Sequence, residues 1–176
     1  MIIDAKVQQK LYIEVKEAKI MQAKENSVVE IEYEGRLEDG KLFDTNKEEL
    51  AKKEHSHVEG RLYEPLHVQL GSGMVIKGFE KNIIGMEEGE EKTFKVTPEE
   101  GYGNRDENLV KKFPRDPQKD ADLKAGMMIV VNVQGQEYPA VVNSIDEKEV
   151  TIDFNHPLGG KILTFKVKLV KVESSN

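Results

Sequence analysis

"YEGRLEDGKLFDTNKEE", residues 33–49, reads as a β-hairpin that runs into a helix. Upstream of it Val29, Ile31 and Tyr33 alternate with polar residues, the period-two pattern of a half-buried strand. Asp39-Gly40 suits the positive φ angles of a two-residue hairpin turn, and "KLFD" returns as the second strand. Thr45 followed three residues later by Glu48 has the spacing of a capping box, so a short helix is expected over "TNKEELAKKE". Between strand and helix an apolar Phe43 stands beside an acidic Asp44. On local grounds Asp44 is a cap or turn residue, because Asp favours the position before a helix, and Phe43 alone would be core.

Outward from this hairpin the chain falls into segments. The connection runs through "HSHVEGRLYEP" to a strand at "LHVQL". Gly71 and Gly73 mark a turn, and Gly78 opens a short helix with Phe79, Ile83 and Met86 at helical spacing. "KTFKVTP" is a strand ended by Pro98, and "EEGYG" a glycine-flanked loop. Residues 104 to about 122 are polar, with Pro114 and Pro117, and then three strand-like runs follow: "MMIVVNV", "YPAVVNSI" and "EVTIDF". After "NHPLGG" the chain closes on "KILTFKVKLVKV", with Leu163, Phe165, Val167 and Leu169 on one face. Val170 and Val172 fall in the opposite phase, which predicts a bulge or a change of face. Residues 1–26 fit both a helical and a strand period, and a strand near 11–16 is expected. The organisation is that of a first domain over 28–103 and 156–172, preceded by an extension at 1–27 and interrupted by a small β unit at 104–155; loops tolerate such insertions.

The totals narrow the chemistry. The chain has 176 residues, 34% of them charged, and a net charge of −7, a poor profile for gripping phosphate backbones. It has no Cys, which excludes thiol catalysis and disulfides and fits a reducing, cytoplasmic setting. Its longest apolar run, "MMIVV" at 127–131, is far too short to span a bilayer. Gly71-Ser72-Gly73 lacks the Gly-Lys-Ser/Thr or third glycine of a nucleotide loop. No Ser lies in a Gly-x-Ser-x-Gly elbow. His55 and His57 could catch a divalent ion, but structural zinc wants more ligands, so no metal or other cofactor is expected. The carboxylates of "EEGEE" and "PEEGYG" read as solvated faces.

What remains is an apolar set. Tyr33, Phe43, Val75, Ile76, Phe79, Tyr102 and Phe165 bring rings and branched groups from separated strands, a helix start and a loop, the material of a small-ligand pocket. The pattern Tyr-x-Gly-x-Leu-x-Asp-Gly-x-x-Phe-Asp at 33–44, "LGSGMVIKGFEKNIIGMEEGEEKTFKVTPEEGYG" at 70–103 and the final "LTFKVKLVKV" resemble the FKBP-type peptidyl-prolyl isomerases. The interrupting unit, entered near "RDENLVKKFP" and left at "DFNHPLGGK", resembles the insert-in-flap domain of SlyD-type members, and the connection at 46–64 the bulge of archaeal relatives.

The resemblance implies an α+β fold, an antiparallel half-barrel sheet wrapped around a short helix, with a small β-rich inserted domain. It implies a proline pocket with Phe79 as floor where the family often has Trp, walls from Tyr33, Phe43, Leu66, Val75, Ile76 and Phe165, and a polar edge of Asp44 and Tyr102. Tyr102 would donate to a substrate carbonyl, Asp44 would orient its neighbours, and Thr45 would cap the helix. It also implies that the insert holds unfolded chains. Met127, Met128, Ile129, Val131 and Val133 are its candidate surface, with the core of a small unit as the equal alternative. The expected partners are unfolded proteins and proline-containing peptides, met by a monomer, without nucleic acid or membrane. A non-catalytic holdase and a metal-handling protein are the rival readings.

Overall fold

A computed structural model describes residues 21–118 and 120–173. The chain divides into two units, Met1–Lys95 with Thr164–Asn176, and Val96–Leu163. The strand expected near 11–16 lies outside the described residues.

The first unit is built on β1 (Val28–Leu37), which pairs antiparallel with β2 (Leu42–Thr45) and β3 (Leu66–Gln69). β2 and β3 take successive stretches of the same strand, with Gly35 opposite Asp44 and Ile31 opposite Leu66. The remaining strands are β4 (Glu91–Val96) and β9 (Leu163–Glu173), and the sheet runs β2-β1-β9-β4. The last of the described strands therefore lies inside the sheet. Phe165, Val167 and Leu169 are buried on one face; burial then changes phase, reaching Val172 rather than Lys171, as the opposed valines predict.

Two helices serve this sheet. α1 (Glu48–Lys53) sits in the connection and buries only Ala51. α2 (Lys77–Ile83) buries Phe79 and Ile83 toward the core of Val29, Ile31, Val68 and Leu70. Met86 is buried too, but beyond the helix, past a turn at Ile84–Gly85. The expected α+β arrangement is what is found. Among the described residues no helix is long and apolar enough to cross a membrane.

Two local expectations need correction. The hairpin has three loop residues, not two: Leu37 and Lys41 close it (N–O 2.9 Å), Gly40 N–H bonds back to the Leu37 carbonyl, and Gly40 alone has positive φ, at 84°. A type I turn completed by a left-handed glycine needs only one such residue, so Asp39 stays in its ordinary region. Nor does Thr45 cap the helix. The cap position is Lys47, without a side-chain cap bond. Thr45 ends β2, buried, donating its hydroxyl to the Tyr33 carbonyl (2.6 Å) and accepting from Lys47 N–H (3.2 Å). Its neighbour Asn46 ties the connection down. The buried amide accepts from Tyr33 N–H (2.8 Å) and donates to the carbonyls of Ile31 (2.8 Å) and Glu64 (3.1 Å). It satisfies strand groups where β1 passes from β2 to β3.

The second unit contains a sheet of β5 (Val110–Pro114), β6 (Met128–Val133), β7 (Gln136–Ile145) and β8 (Glu149–Asp153), in the order β5-β8-β7-β6. The three expected runs are β6, β7 and β8. β5 was hidden in the polar stretch over 104 to about 122, and its terminal Pro114 is tolerated because β5 is an edge strand. The core is small: Ala140, Val142, Val150 and Ile152, with Leu123, Ile129, Val131, Ile145 and Phe154 packed against it.

Asn46→Ala should destabilise the protein by about 1–3 kcal/mol, the cost of leaving buried backbone groups unpaired. Asn46→Asp should not rescue it, because a carboxylate cannot donate to two carbonyls. Urea unfolding of the three proteins measures this.

Candidate active site

The ring residues of the first unit converge on Phe165. Its centroid lies 5.1 Å from Phe79, 5.7 Å from Phe43 and 5.9 Å from Phe94, the first two edge-on. Phe79 also meets Tyr33 (6.1 Å) and Phe94 (5.9 Å) edge-on. Such geometry sets the positive ring edge against a negative face, worth about 0.5–1.5 kcal/mol per pair beyond area burial. Phe79, Phe94 and Phe165 are buried, while Tyr33 and Phe43 are half-buried. The cluster thus has an inner base and a partly open rim.

Gly35 makes room for the rim. A methyl group there would fall 2.5 Å from the tip of the Phe43 ring and 3.1 Å from Phe165. The glycine of the "YEG" motif is required by close approach, not by a special backbone angle.

Asp44 accepts three hydrogen bonds. Its Oδ2 accepts from the Tyr33 hydroxyl (2.7 Å); its Oδ1 accepts from Arg61 Nη1 (2.8 Å) and from Thr45 N–H (2.9 Å). Burial, then the adjacent carboxylate, pushes the Tyr33 phenol far above its ordinary pKa, so it stays a donor. The bond to Asp44 raises Arg61 as well. A carboxylate held by three donors fixes the orientation of the side chains around it.

Arg61 was not anticipated. It belongs to the connection before β3, where its guanidinium also lies over the Tyr63 ring at 5.2 Å. His57 stacks on the same ring (5.2 Å, 13°), and the Tyr63 hydroxyl accepts from Val58 N–H (2.9 Å). A partly open aspartate calls for a cation, but the connection offers several, and sequence alone does not choose among them. Phe94 was also missed; its alternation with Val96 in "KTFKVTP" was the available signal. Of the other expected residues, Leu66 opens β3, Val75 precedes α2, and Ile76 is its cap position; all three are half-buried. His57 is 3.5 Å from Glu48, and among the described residues no group of three His, Asp or Glu is gathered as a metal site requires.

Tyr102 belongs to the second unit. It follows a 3-10 turn at Pro98–Glu100, is 40% exposed, and stacks on His156. The candidate surface residues divide: Ile129 and Val131 pack on the small core, whereas Met127, Met128 and Val133 are exposed, as are Val130 and Tyr138. A groove of about 420 Å³ is lined by Met128, Tyr138, Pro139, Phe154, His156 and Pro157 among others.

The family model described as FKBP-type peptidyl-prolyl cis-trans isomerase matches residues 20–170. The short-type peptidyl-prolyl cis-trans isomerase of Methanocaldococcus jannaschii is 41% identical over 152 residues, covering 85% of this chain and 94% of that protein. The probable FKBP-type 16 kDa isomerase of Pseudomonas fluorescens is 31% identical, with 85% and 91% covered. The FKBP-type isomerase SlyD of Haemophilus influenzae is 34% identical, with 85% and 72% covered. The similarity takes in the hairpin, the ring cluster and the interrupting unit alike, and this chain belongs to the FKBP-type peptidyl-prolyl cis-trans isomerases.

Proposed function

We propose that the ring hollow of the first unit receives the proline of an X-Pro segment and speeds rotation by favouring the twisted imide. The uncatalysed barrier is about 18–20 kcal/mol because rotation sacrifices amide resonance. The planar imide is more polar than the half-rotated one, so a dry apolar site loses less by enclosing the latter than water does. A thousandfold acceleration requires about 4 kcal/mol of preferential binding, within reach of enclosure plus one or two hydrogen bonds.

Phe79 and Phe165 are the base of this hollow, with Phe43 and Tyr33 at its rim and Leu66, Val75 and Ile76 as aliphatic walls. The observation that carries the reading is the Asp44 arrangement: its three donors leave a fixed negative wall rather than a base. Proton transfer has no part in the reaction. Tyr102 enters on its "EEGYG" motif, as the donor to a substrate carbonyl.

The second unit, in this proposal, captures unfolded chains. Its support is exposed apolar surface on a unit with a small core: Met127, Met128, Val130, Val133 and Tyr138. β6 ends the sheet order, so its outer edge offers backbone groups to an extended segment. Met adapts to varied side chains. Capture raises the local concentration of prolines for the isomerase. The rival holdase reading differs in one respect: a holdase leaves proline-limited refolding unchanged or slower.

Phe43→Ala, Asp44→Leu and Tyr102→Phe should each lower kcat/KM on a proline tetrapeptide by about tenfold or more, the loss of one or two kcal/mol at the transition state. Full activity in all three would overturn the site assignment. Met128→Glu with Val130→Glu should leave tetrapeptide turnover unchanged yet slow catalysed refolding of a proline-limited protein about tenfold, by loss of local concentration. Equal activity in both assays would rule out capture by this surface.

A further inference from the structure

Large apolar side chains left in water are few in the first unit, and they are not scattered. Among the described residues they are Val58, Leu62, Met74 and Ile84. Met74 directly precedes Val75, and Val58 and Leu62 stand on either side of Arg61, whose guanidinium reaches Asp44. Three of the four thus adjoin residues of the candidate site. Leu62 is 80% exposed and Val58 55%. A lone exposed leucine needs no explanation. This one differs because the backbone that carries it is held firmly in place.

Residues 58–63 form a closed turn. Arg61 N–H donates to the Val58 carbonyl (3.3 Å) around Gly60, whose φ is 80°. Val58 N–H donates to the Tyr63 hydroxyl (2.9 Å), so the tyrosine folds back over the turn that precedes it. The Tyr63 ring carries the Arg61 guanidinium at 5.2 Å and the stacked His57 imidazole, also at 5.2 Å. Two bonds fasten the turn to its surroundings: Arg61 Nη1 to Asp44 Oδ1 (2.8 Å), and Asn46 Nδ2 to the Glu64 carbonyl (3.1 Å). These contacts order the turn without burying Leu62. Ordering a segment costs conformational entropy, and a segment ordered in advance with an apolar side chain in water is preorganised for a partner.

The partner that fits is the substrate chain itself. Leu62 lies one Cα step, about 3.8 Å, from a residue whose side chain ends on Asp44, and an extended peptide advances about 3.3–3.6 Å per residue. A segment with its proline in the ring hollow therefore passes the turn within about three residues. A contact at that distance from the rotating bond is the same for the planar and the twisted imide. It strengthens binding, lowering KM, and leaves kcat unchanged.

We propose that Leu62, with Val58 of the same turn, is a specificity determinant of the isomerase: it takes an apolar side chain of the substrate about three residues from the proline. This rests on the reading of the ring hollow as the proline site.

The test pairs peptides with variants of the full chain. Two peptide series share one X-Pro core and carry Leu or Ser three residues from the proline, before it in one series and after it in the other. In one of the two series the wild-type KM should be about fivefold lower for the Leu peptide at equal kcat, a difference of roughly 1 kcal/mol. In Leu62→Ser the two peptides of that series should share one KM, and Leu62→Met should restore most of the difference. In NMR titrations with the Leu peptide the Leu62 methyl resonances should shift, and an analogue with alanine in place of proline should leave them unmoved at the same concentration. Equal KM values within both series, a preference for Leu that survives Leu62→Ser, or Leu62 methyls that ignore the peptide or answer equally to the proline-free analogue would each overturn the proposal. Full turnover in Phe43→Ala, Asp44→Leu and Tyr102→Phe would instead remove the reading of the hollow beneath it.

Discussion

Phe165 is the contact on which the first unit depends. It touches rings from β2, α2 and β4, and its edge comes within reach of the bare backbone of Gly35. Removing a buried ring of this size costs about 3–5 kcal/mol in transfer and cavity terms. Here it would also unseat Phe43 and Phe79, so stability and site geometry are two aspects of one packing arrangement. The absence of a side chain at Gly35 belongs to the same constraint: without that gap Phe43 could not lean against Phe165.

The polar half of the site is held as tightly. Asp44 draws a phenol from β1, a guanidinium from the connection and a backbone N–H from its own strand. Asn46, two residues on, bonds to β1 and to the connection. The long segment between β2 and β3 is thereby tethered at its entry by Asn46 and toward its end by Arg61. Three donors from three separate segments thus fix the direction of one carboxylate.

Much of this could be read from the residues. Alternation over Val29, Ile31 and Tyr33, the turn at Gly40, and the phase change after Leu169 gave strands where strands are found. Tyr33, Phe43, Phe79 and Phe165 were legible because each falls at a strand or helix position, whereas Phe94 was passed over. The misses have physical causes. The Thr45–Glu48 spacing matched a cap, but the Thr45 hydroxyl found a better acceptor in the Tyr33 carbonyl, a tertiary contact outside any local window. β5 lacked alternation and carried Pro114, both permitted at a sheet edge. Arg61 and His156 were invisible because their partners, Asp44 and Tyr102, are distant in sequence.

The place of β9 inside the sheet, between β1 and β4, governs the order of assembly. During synthesis β1 to β4 leave the ribosome first, yet their central neighbour β9 is made after the whole interrupting unit. The interrupting unit, by contrast, pairs β6 with β7 and β7 with β8, neighbours along the chain that need short loop closures only. On a growing polypeptide the interrupting unit can mature while the first unit still waits for its central strand.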